Sequence, residues 1–372
     1  GFLFLILFFT TTAKAQKEAE TFNVDSTLYE YYQRCQEYLL EPVVLNMSDT
    51  LFRMAGERQD ERMQAVAIAT QLDYYYFQGT NEDSVIHYTN KVKEFAKATH
   101  QPKYYYFAWA NRLITYYLKT SRTNIALYEV QNMLKEAQEE DDKTGLSRCY
   151  NIMSQIYTIK RFDSMAFEWR LKEIELTEKY KIENYNISQT YAQIANYYIN
   201  QKKQKEALAA VEKAIATANS STQQISAKLE FVNYYSKFGD FQAAEKLLKE
   251  CQAAFEQDKR LESIKKRLYN IECLYYQQTK QYQKALEAAK MQEKEERRLS
   301  ESILSSIHYR TQGEIYQKMG NMNLAVKYLQ MYINTDDSLK IANEQVASSE
   351  FATLLNVEKL NAEKKELMLQ AQ

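Results

Sequence analysis

Residues 313–325 read GEIYQKMGNMNLA and combine an aromatic residue, a helix-terminating glycine and a small residue at fixed distances. Tyr316 is followed four positions later by Gly320 and nine positions later by Ala325. Glycine just past the end of a helix readily takes the left-handed conformation that terminates it. Tyr316 and Ala325 are therefore predicted to lie on two consecutive helices, where the alanine allows close approach and the ring fills the space beside it.

The same pair of residues recurs along the chain with spacings of 37 to 41 residues. The aromatic position is occupied by Tyr76, Tyr117, Tyr157, Tyr198, Tyr235, Tyr276 and Tyr316. The position nine residues later is occupied by Val85, Ala126, Ala166, Ala207, Ala244, Ala285 and Ala325. Recurrence at two linked positions indicates an internal repeat. Because one helical hairpin leaves an apolar face that only neighbouring hairpins cover, such repeats are predicted to form an array.

The composition favours helices throughout the chain. Only seven Gly and two Pro occur among 372 residues, whereas β-rich and α/β proteins need many of both in turns. Hydrophobic residues make up 45% of the chain, so a large core is expected. The predicted turns are polar or contain glycine, as in Lys202-Lys203 and Gly239-Asp240. These features predict an all-α protein of long helices joined by short turns.

The repeat resembles that of the tetratricopeptide family, most clearly at Gly313, Tyr316, Gly320 and Ala325. The resemblance covers roughly residues 60–335 and implies a right-handed α-solenoid of about eight helical hairpins. The period of about 40 residues exceeds the family's 34, so longer helices are expected. The family also implies that the first helix of each hairpin lines a concave binding face.

Four segments are predicted along the chain. Residues 1–15 contain an apolar run at 2–9 and a small-x-small pattern at 13–15, which is typical of a secretory signal peptide; the alternative is a buried N-terminal helix. Residues 22–58 form an atypical capping hairpin, and residues 60–335 form seven repeats. Residues 336–372 form a long C-terminal helix, a candidate for dimerisation and for the start of a coiled coil leading to a membrane helix.

Charge and motifs argue against several functions. The 48 basic and 49 acidic residues give a net charge of −1, which provides no field to attract nucleic acid. No nucleotide-binding, zinc-protease or hydrolase motif occurs. Cys35, Cys149, Cys251 and Cys273 form no C-x-x-C pair and are expected to be buried free thiols, with a Cys251–Cys273 disulfide as the alternative. A non-catalytic protein without metal or cofactor is therefore expected.

A polar stripe is predicted along the first helices, because steps of about four residues keep to one helix face. Amides recur at equivalent positions of successive repeats, and each amide offers both a donor and an acceptor to the backbone of an extended peptide. The alternative is a face that is only solvated. The predicted binding residues are Asn111, Asn151, Gln155, Asn196, Asn200, Asn233, Lys237, Asn270, Gln278 and Arg310.

Two functions are compatible with these features, and both require export to the periplasm. The order of signal peptide, helical repeats and charged C-terminal helix resembles the periplasmic sensor half of Gram-negative membrane signalling proteins. In those proteins a membrane helix and a histidine kinase or DNA-binding output domain follow. The alternative is a free periplasmic scaffold that assembles protein complexes. In either case the mature domain is expected to be soluble and its partner to be a protein or an extended peptide.

Overall fold

The computed structural model describes residues 24–79, 81–182, 186–299 and 306–338, with the side chains of 296–299 left undescribed. The predicted signal peptide and most of the predicted C-terminal helix lie outside these residues. The described chain divides between Ile156 and Tyr157 into two compact units, here called unit 1 and unit 2. The repeat pattern did not indicate this division.

The described residues form sixteen helices in eight consecutive hairpins and contain no β-strand. The prediction of an all-α protein built from helical hairpins is therefore confirmed. The helices are α1 (Ser26–Glu37), α2 (Val43–Glu57), α3 (Glu61–Gln78), α4 (Glu82–Ala98), α5 (the consecutive segments Pro102–Tyr106, Phe107–Ile114 and Thr115–Lys119), α6 (Thr123–Glu139), α7 (Lys143–Ile159), α8 (Asp163–Tyr180), α9 (Ile187–Asn200), α10 (Gln204–Ala216), α11 (Ser221–Phe238), α12 (Phe241–Gln257), α13 (Lys265–Gln278), α14 (Tyr282–Leu299), α15 (Ile307–Lys318) and α16 (322–338).

The turn after the repeat tyrosine has one geometry in six hairpins. The residue four positions after the tyrosine takes the left-handed conformation whether or not it is glycine, with φ of 60° at Ser121, 57° at Lys202 and 91° at Gly239. The next residue donates its backbone N–H to the tyrosine carbonyl at 2.8–2.9 Å, as Lys203 does to Tyr198 and Asp240 to Tyr235. This bond satisfies a carbonyl that the helix end leaves without a partner.

Several helices begin at a side chain that accepts a backbone hydrogen bond. Asp60, Asn81, Ser220 and Asp240 each accept from the N–H three residues further on. Such caps satisfy donors that the first helical turn leaves free, and each contributes about 1 kcal/mol. The hairpins therefore begin and end where the local sequence dictates.

The small residues of the repeat lie at the contacts between helices. Ala207, Ala244, Ala285 and Ala325 are at most 2% exposed, which confirms the packing prediction. Three of the repeat tyrosines, Tyr76, Tyr117 and Tyr316, are likewise buried. All four cysteines are buried free thiols within these cores. Among the described residues, no helix is both long enough and apolar enough to cross a membrane.

Two local departures from regular α-helix interrupt the pattern. The middle segment of α5, Phe107–Ile114, is π-helical, and a 3₁₀ segment, Lys259–Ile264, precedes α13. Hydrophobic periodicity did not predict either of them. A π-helical turn changes which side chains face each neighbour, since it shifts the register by one residue.

Candidate functional site

Unit 2 contains a groove of about 830 Å³ that is formed mainly by the first helices of three successive hairpins. Within the unit, α9 packs on α11 and α11 packs on α13. Side chains one helical turn apart on each of them face the same space. This site is called the unit-2 groove, and its principal polar lining residues are Arg170, Gln189, Gln193, Asn196, Asn200, Gln223, Ser226, Glu230, Arg267 and Asn270.

A buried carboxylate ties the three helices together inside the groove. Glu230 is 4% exposed and accepts a hydrogen bond from Nη2 of Arg267 at 2.6 Å. Its other oxygen accepts from the side-chain amides of Asn233 at 3.3 Å and Asn196 at 3.5 Å. Because Glu230 is both charge-paired and hydrogen-bonded, its two oxygens have partners where water is largely excluded.

Arg170 occupies another part of the groove and is held by neutral groups. Its Nε donates to Gln193 at 2.7 Å, and its Nη2 donates to Thr158 at 2.7 Å. Burial lowers the pKa of Arg170, and the nearby carboxylates of Glu173 and Asp163 partly oppose that effect. The side chain is therefore fixed in position, with part of its guanidinium facing the groove.

The structure brings together three of the predicted stripe residues in unit 2. Asn196, Asn200 and Asn270 line the groove, and the side-chain amide of Asn200 donates to Asn196 at 3.0 Å. Lys237 and Gln278 are exposed but are not among the groove-lining residues. Arg310 is exposed and pairs with Glu314 at 2.8 Å, also outside the groove.

The expected exposure of Asn233 is wrong. Its side chain is buried, with 8% of its surface exposed, and donates to Glu230 one helical turn earlier. The carboxylate turns the amide inward, because a buried acceptor without a donor costs more free energy than an exposed amide gains from water. Asn233 therefore supports the groove through Glu230.

The remaining predicted stripe residues belong to unit 1. Asn111 is exposed and accepts a hydrogen bond from Nη1 of Arg148 at 2.6 Å. Asn151 is partly buried and accepts from Nε2 of Gln155 at 2.6 Å. These three amides thus pair with other polar side chains of their own unit.

Sequence reasoning missed several groove residues. Gln189 and Gln193 lie seven and three positions before Asn196, and Gln223 lies seven positions before Glu230. Those spacings place them on the same helix faces, so a wider stripe would have included them. Arg267 had no comparable signal, because its role depends on Glu230 from the preceding hairpin.

The polar side chains of the groove form hydrogen bonds with one another. Its titratable lining groups include Glu230, which is held by three donors, and Arg170, which is held by two acceptors. Within the part of the chain that the structure describes, no group of three or more His, Cys, Asp or Glu side chains could hold a metal ion. The unit-2 groove is lined by hydrogen-bond donors and acceptors of amide and charged side chains.

No family model matches the chain, and no curated protein matches its sequence significantly. Solved structures match its fold. The apo form of the quorum sensor NprR from B. thuringiensis is 15% identical, with a TM-score of 0.52 that covers 86% of this chain and 91% of NprR. A Rap protein complexed with Competence and Sporulation Factor is also 15% identical, with a TM-score of 0.50 that covers 88% of this chain and 92% of the Rap protein. The chain has the tetratricopeptide-like helical-repeat fold that its repeat pattern predicts.

Proposed function

We propose that this chain is a non-catalytic binding protein that holds an extended polypeptide segment in the unit-2 groove. The observation that carries the proposal is the series of amides on consecutive first helices, with Gln193 and Asn196 on α9, Gln223 on α11 and Asn270 on α13. Each amide presents a donor and an acceptor, as does each peptide unit of an extended chain. The groove volume of about 830 Å³ lies within the range of ligand clefts.

The charges of the groove favour a polar ligand of low net charge. Arg267 is neutralised by Glu230, and the nearby carboxylates of Glu173 and Asp163 partly offset the charge of Arg170. A nucleic-acid groove would need a continuous basic track with aromatic rings for base stacking. Among the lining residues Tyr197 is the one aromatic side chain, and its ring stacks on Phe167 at a centroid distance of 4.0 Å. The groove therefore suits a polypeptide better than a nucleic acid.

The structural neighbours support binding as the kind of function. NprR is a quorum sensor, and the Rap protein was crystallised with Competence and Sporulation Factor. An identity of 15% carries over the fold alone.

The proposal is tested by selecting peptides from a phage-displayed dodecapeptide library on the full chain. Fluorescence anisotropy of the selected peptides is then compared between the parent and the variant Asn196→Ala/Asn270→Ala. We expect binding to weaken by at least about tenfold, because two amides that pair with the peptide backbone are lost.

The matched control is Asn219→Ala/Asn334→Ala, which removes two exposed asparagines of unit 2 that do not line the groove. This control should bind the peptides as the parent does. If both double variants bind the peptides as tightly as the parent does, the site lies elsewhere. A library that yields no binder would refute peptide recognition.

We further propose that the chain is the periplasmic sensor part of a membrane signalling protein, with a free periplasmic scaffold as the alternative. The apolar run at 2–9 and the small-x-small pattern at 13–15 support export. The two hypotheses predict different gene sequences after Gln372. An apolar stretch of about 20 residues there supports the sensor, and an immediate stop codon supports the scaffold.

A further inference from the structure

Unit 1 contains a smaller concavity of about 160 Å³, here called the unit-1 pocket. The rings of Tyr32, Tyr104 and Phe107 line it, together with the aliphatic side chains of Val66 and Ala69. These residues come from the first helices of three successive hairpins, α1, α3 and α5. The pocket therefore combines an aromatic wall with an aliphatic one.

The polar edge of the pocket carries an uncompensated positive charge. Asp73 is paired with Arg112, which donates to its two carboxylate oxygens at 2.5 and 3.2 Å. Arg148 lines the same pocket and donates from Nη1 to the neutral amide of Asn111. Its Nε is buried and has no hydrogen-bond partner among the described residues. Burial lowers the pKa of Arg148, and no carboxylate opposes that effect.

A guanidinium in this condition is costly to the folded protein, since desolvation is not offset by an ion pair. Asp73 is already neutralised by Arg112, which donates to both of its oxygens, so the pair leaves the charge of Arg148 without a counter-charge. Lys103, on the same pocket, adds a second positive charge that has no ion pair among the described residues. A bound anion would compensate these charges and supply the acceptor that Nε of Arg148 lacks.

The volume of the pocket sets the size of the apolar part of a ligand. A cavity of about 150 Å³ lined by apolar side chains is known to accept one benzene ring. The unit-1 pocket, at about 160 Å³, therefore accommodates a single six-membered ring. Rings of Tyr32, Tyr104 and Phe107 favour an aromatic occupant, because offset and edge-to-face contacts stabilise such groups.

We propose that the unit-1 pocket binds an aromatic carboxylate, with the ring among Tyr32, Tyr104 and Phe107 and the carboxylate on Arg148. Two kinds of molecule carry an aromatic ring next to a carboxylate: a free small aromatic acid, and a peptide with an aromatic C-terminal residue. The site uses residues of unit 1 alone, so it stands independently of peptide binding in the unit-2 groove.

Isothermal titration calorimetry of the full chain with phenylacetate tests the proposal. We expect saturable binding with a Kd of about 0.1–1 mM, as is reasonable for a ligand of about ten non-hydrogen atoms. Benzyl alcohol, which keeps the ring, and acetate, which keeps the charge, should each bind at least about tenfold more weakly. A pentapeptide that ends in Phe, compared with its C-terminal amide, distinguishes the two sources. Tighter binding of the free-acid peptide than of phenylacetate assigns the peptide as ligand, and the reverse order assigns the small acid.

The variant Arg148→Gln should weaken phenylacetate binding by at least about tenfold, since it removes the charge that pairs with the carboxylate. Arg53→Gln is the matched control, because Arg53 is an exposed arginine of unit 1 outside the pocket. Ala69→Leu, which fills the pocket without removing a charge, should also abolish binding. Helical circular dichroism confirms that each variant is folded.

Three results would overturn the proposal. The first is that neither phenylacetate nor the Phe-terminated peptide binds the parent protein. The second is that benzyl alcohol binds as tightly as phenylacetate. The third is that folded Arg148→Gln or folded Ala69→Leu binds phenylacetate with the parent affinity.

Discussion

Glu230 is a single residue on which the polar network of the unit-2 groove depends. We expect Glu230→Gln to lower the free energy of unfolding by about 2–4 kcal/mol, because Arg267 loses its counter-charge in a largely buried site. Arg267 keeps 24% of its side-chain surface exposed, which holds the loss below that of a fully buried pair. Urea unfolding of the variant measures the change.

Glu314→Gln is the control for this prediction, since the Glu314–Arg310 pair is about half exposed. It should change stability by no more than about 0.5 kcal/mol. If the two glutamine variants unfold at the same urea concentration, the polar network of the unit-2 groove does not depend on Glu230. A double-mutant cycle with Arg267→Met isolates the pairwise energy.

Ala244 represents the small-residue position of the repeat. It is fully buried where α12 packs on its neighbours, so a leucine has no room. Ala244→Leu should cost roughly 1–3 kcal/mol through overpacking. Thermal melts compare it with Gln242→Leu, an exposed position two residues earlier on the same helix. Coincident melts of Ala244→Leu and the parent would show that the helix register is wrong.

At the scale of helices, α7 approaches the start of α5 at a glycine. A Cβ on Gly145 would come within 3.0 Å of three atoms of the Tyr106 ring, which is itself fully buried. Gly145→Ala should therefore lower the melting temperature, although alanine by itself favours helix by up to about 1 kcal/mol.

Gly56→Ala is the natural control for that substitution. Gly56 is also helical, but the nearest contact of its Cβ is the flexible end of Gln64. That side chain can move aside, so Gly56→Ala should be neutral or stabilising. Equal destabilisation by the two alanines would mean that contact with the Tyr106 ring does not limit the size of the residue at position 145.

Helices α4 and α5 are joined by a lysine that lies over aromatic rings. The Lys93 ammonium is 3.2 Å from the centroid of Trp109 and 5.0 Å from that of Tyr105. Burial lowers the pKa of Lys93 to about 8, although Glu136 and Glu129 favour its charged form. In the unfolded chain the pKa is near 10.4, so between about pH 8 and pH 10.4 the unfolded state binds more protons. Stability contributed by Lys93 therefore rises with pH through this window.

Urea unfolding at pH 7, 8.5 and 10 checks this sign. The stability of the parent relative to Lys93→Met should increase by about 1–3 kcal/mol across the series. Lys97→Met is the control, because hydrogen bonds from Lys97 to Glu140 and Glu136 raise its pKa, and its contribution should not grow with pH. A pH-independent difference for Lys93→Met would show that the pKa of Lys93 is the same in the folded and unfolded chains.

For the whole molecule, the four cysteines report on both units at once. Cys35 and Cys149 lie in unit 1, and Cys251 and Cys273 lie in unit 2. Burial raises the pKa of all four thiols, to about 11 for Cys35 and Cys251 and to about 12 for Cys149. At pH 8 the folded, unreduced protein should react with Ellman's reagent at least roughly 100-fold more slowly than the unfolded protein.

Titration in guanidinium should give four thiols, and a count of two would reveal a disulfide.

The sequence by itself determined the helical class and the register of the hairpins. Both follow from local causes, since the 3.6-residue period, the caps and the turn after each repeat tyrosine involve residues close along the chain. The tyrosine–alanine pair also identified the buried contacts, because only a small residue fits where two helices meet at that point. The amides were placed correctly on the first helices for the same reason.

Only the tertiary structure decided which of those amides face a groove. Asn196 and Asn233 occupy equivalent repeat positions, two residues before Tyr198 and Tyr235, yet Asn196 lines the groove while Asn233 is buried. The difference arises because Asn233 lies on the same helix as Glu230, enclosed beside its ion pair with Arg267, 37 residues away, whereas Asn196 reaches the same carboxylate oxygen from α9. Helical periodicity fixes the face on which a side chain lies. The hydrogen-bond partners of that side chain are determined by packing between hairpins, because a buried polar group must be satisfied by whichever neighbour the fold brings within reach.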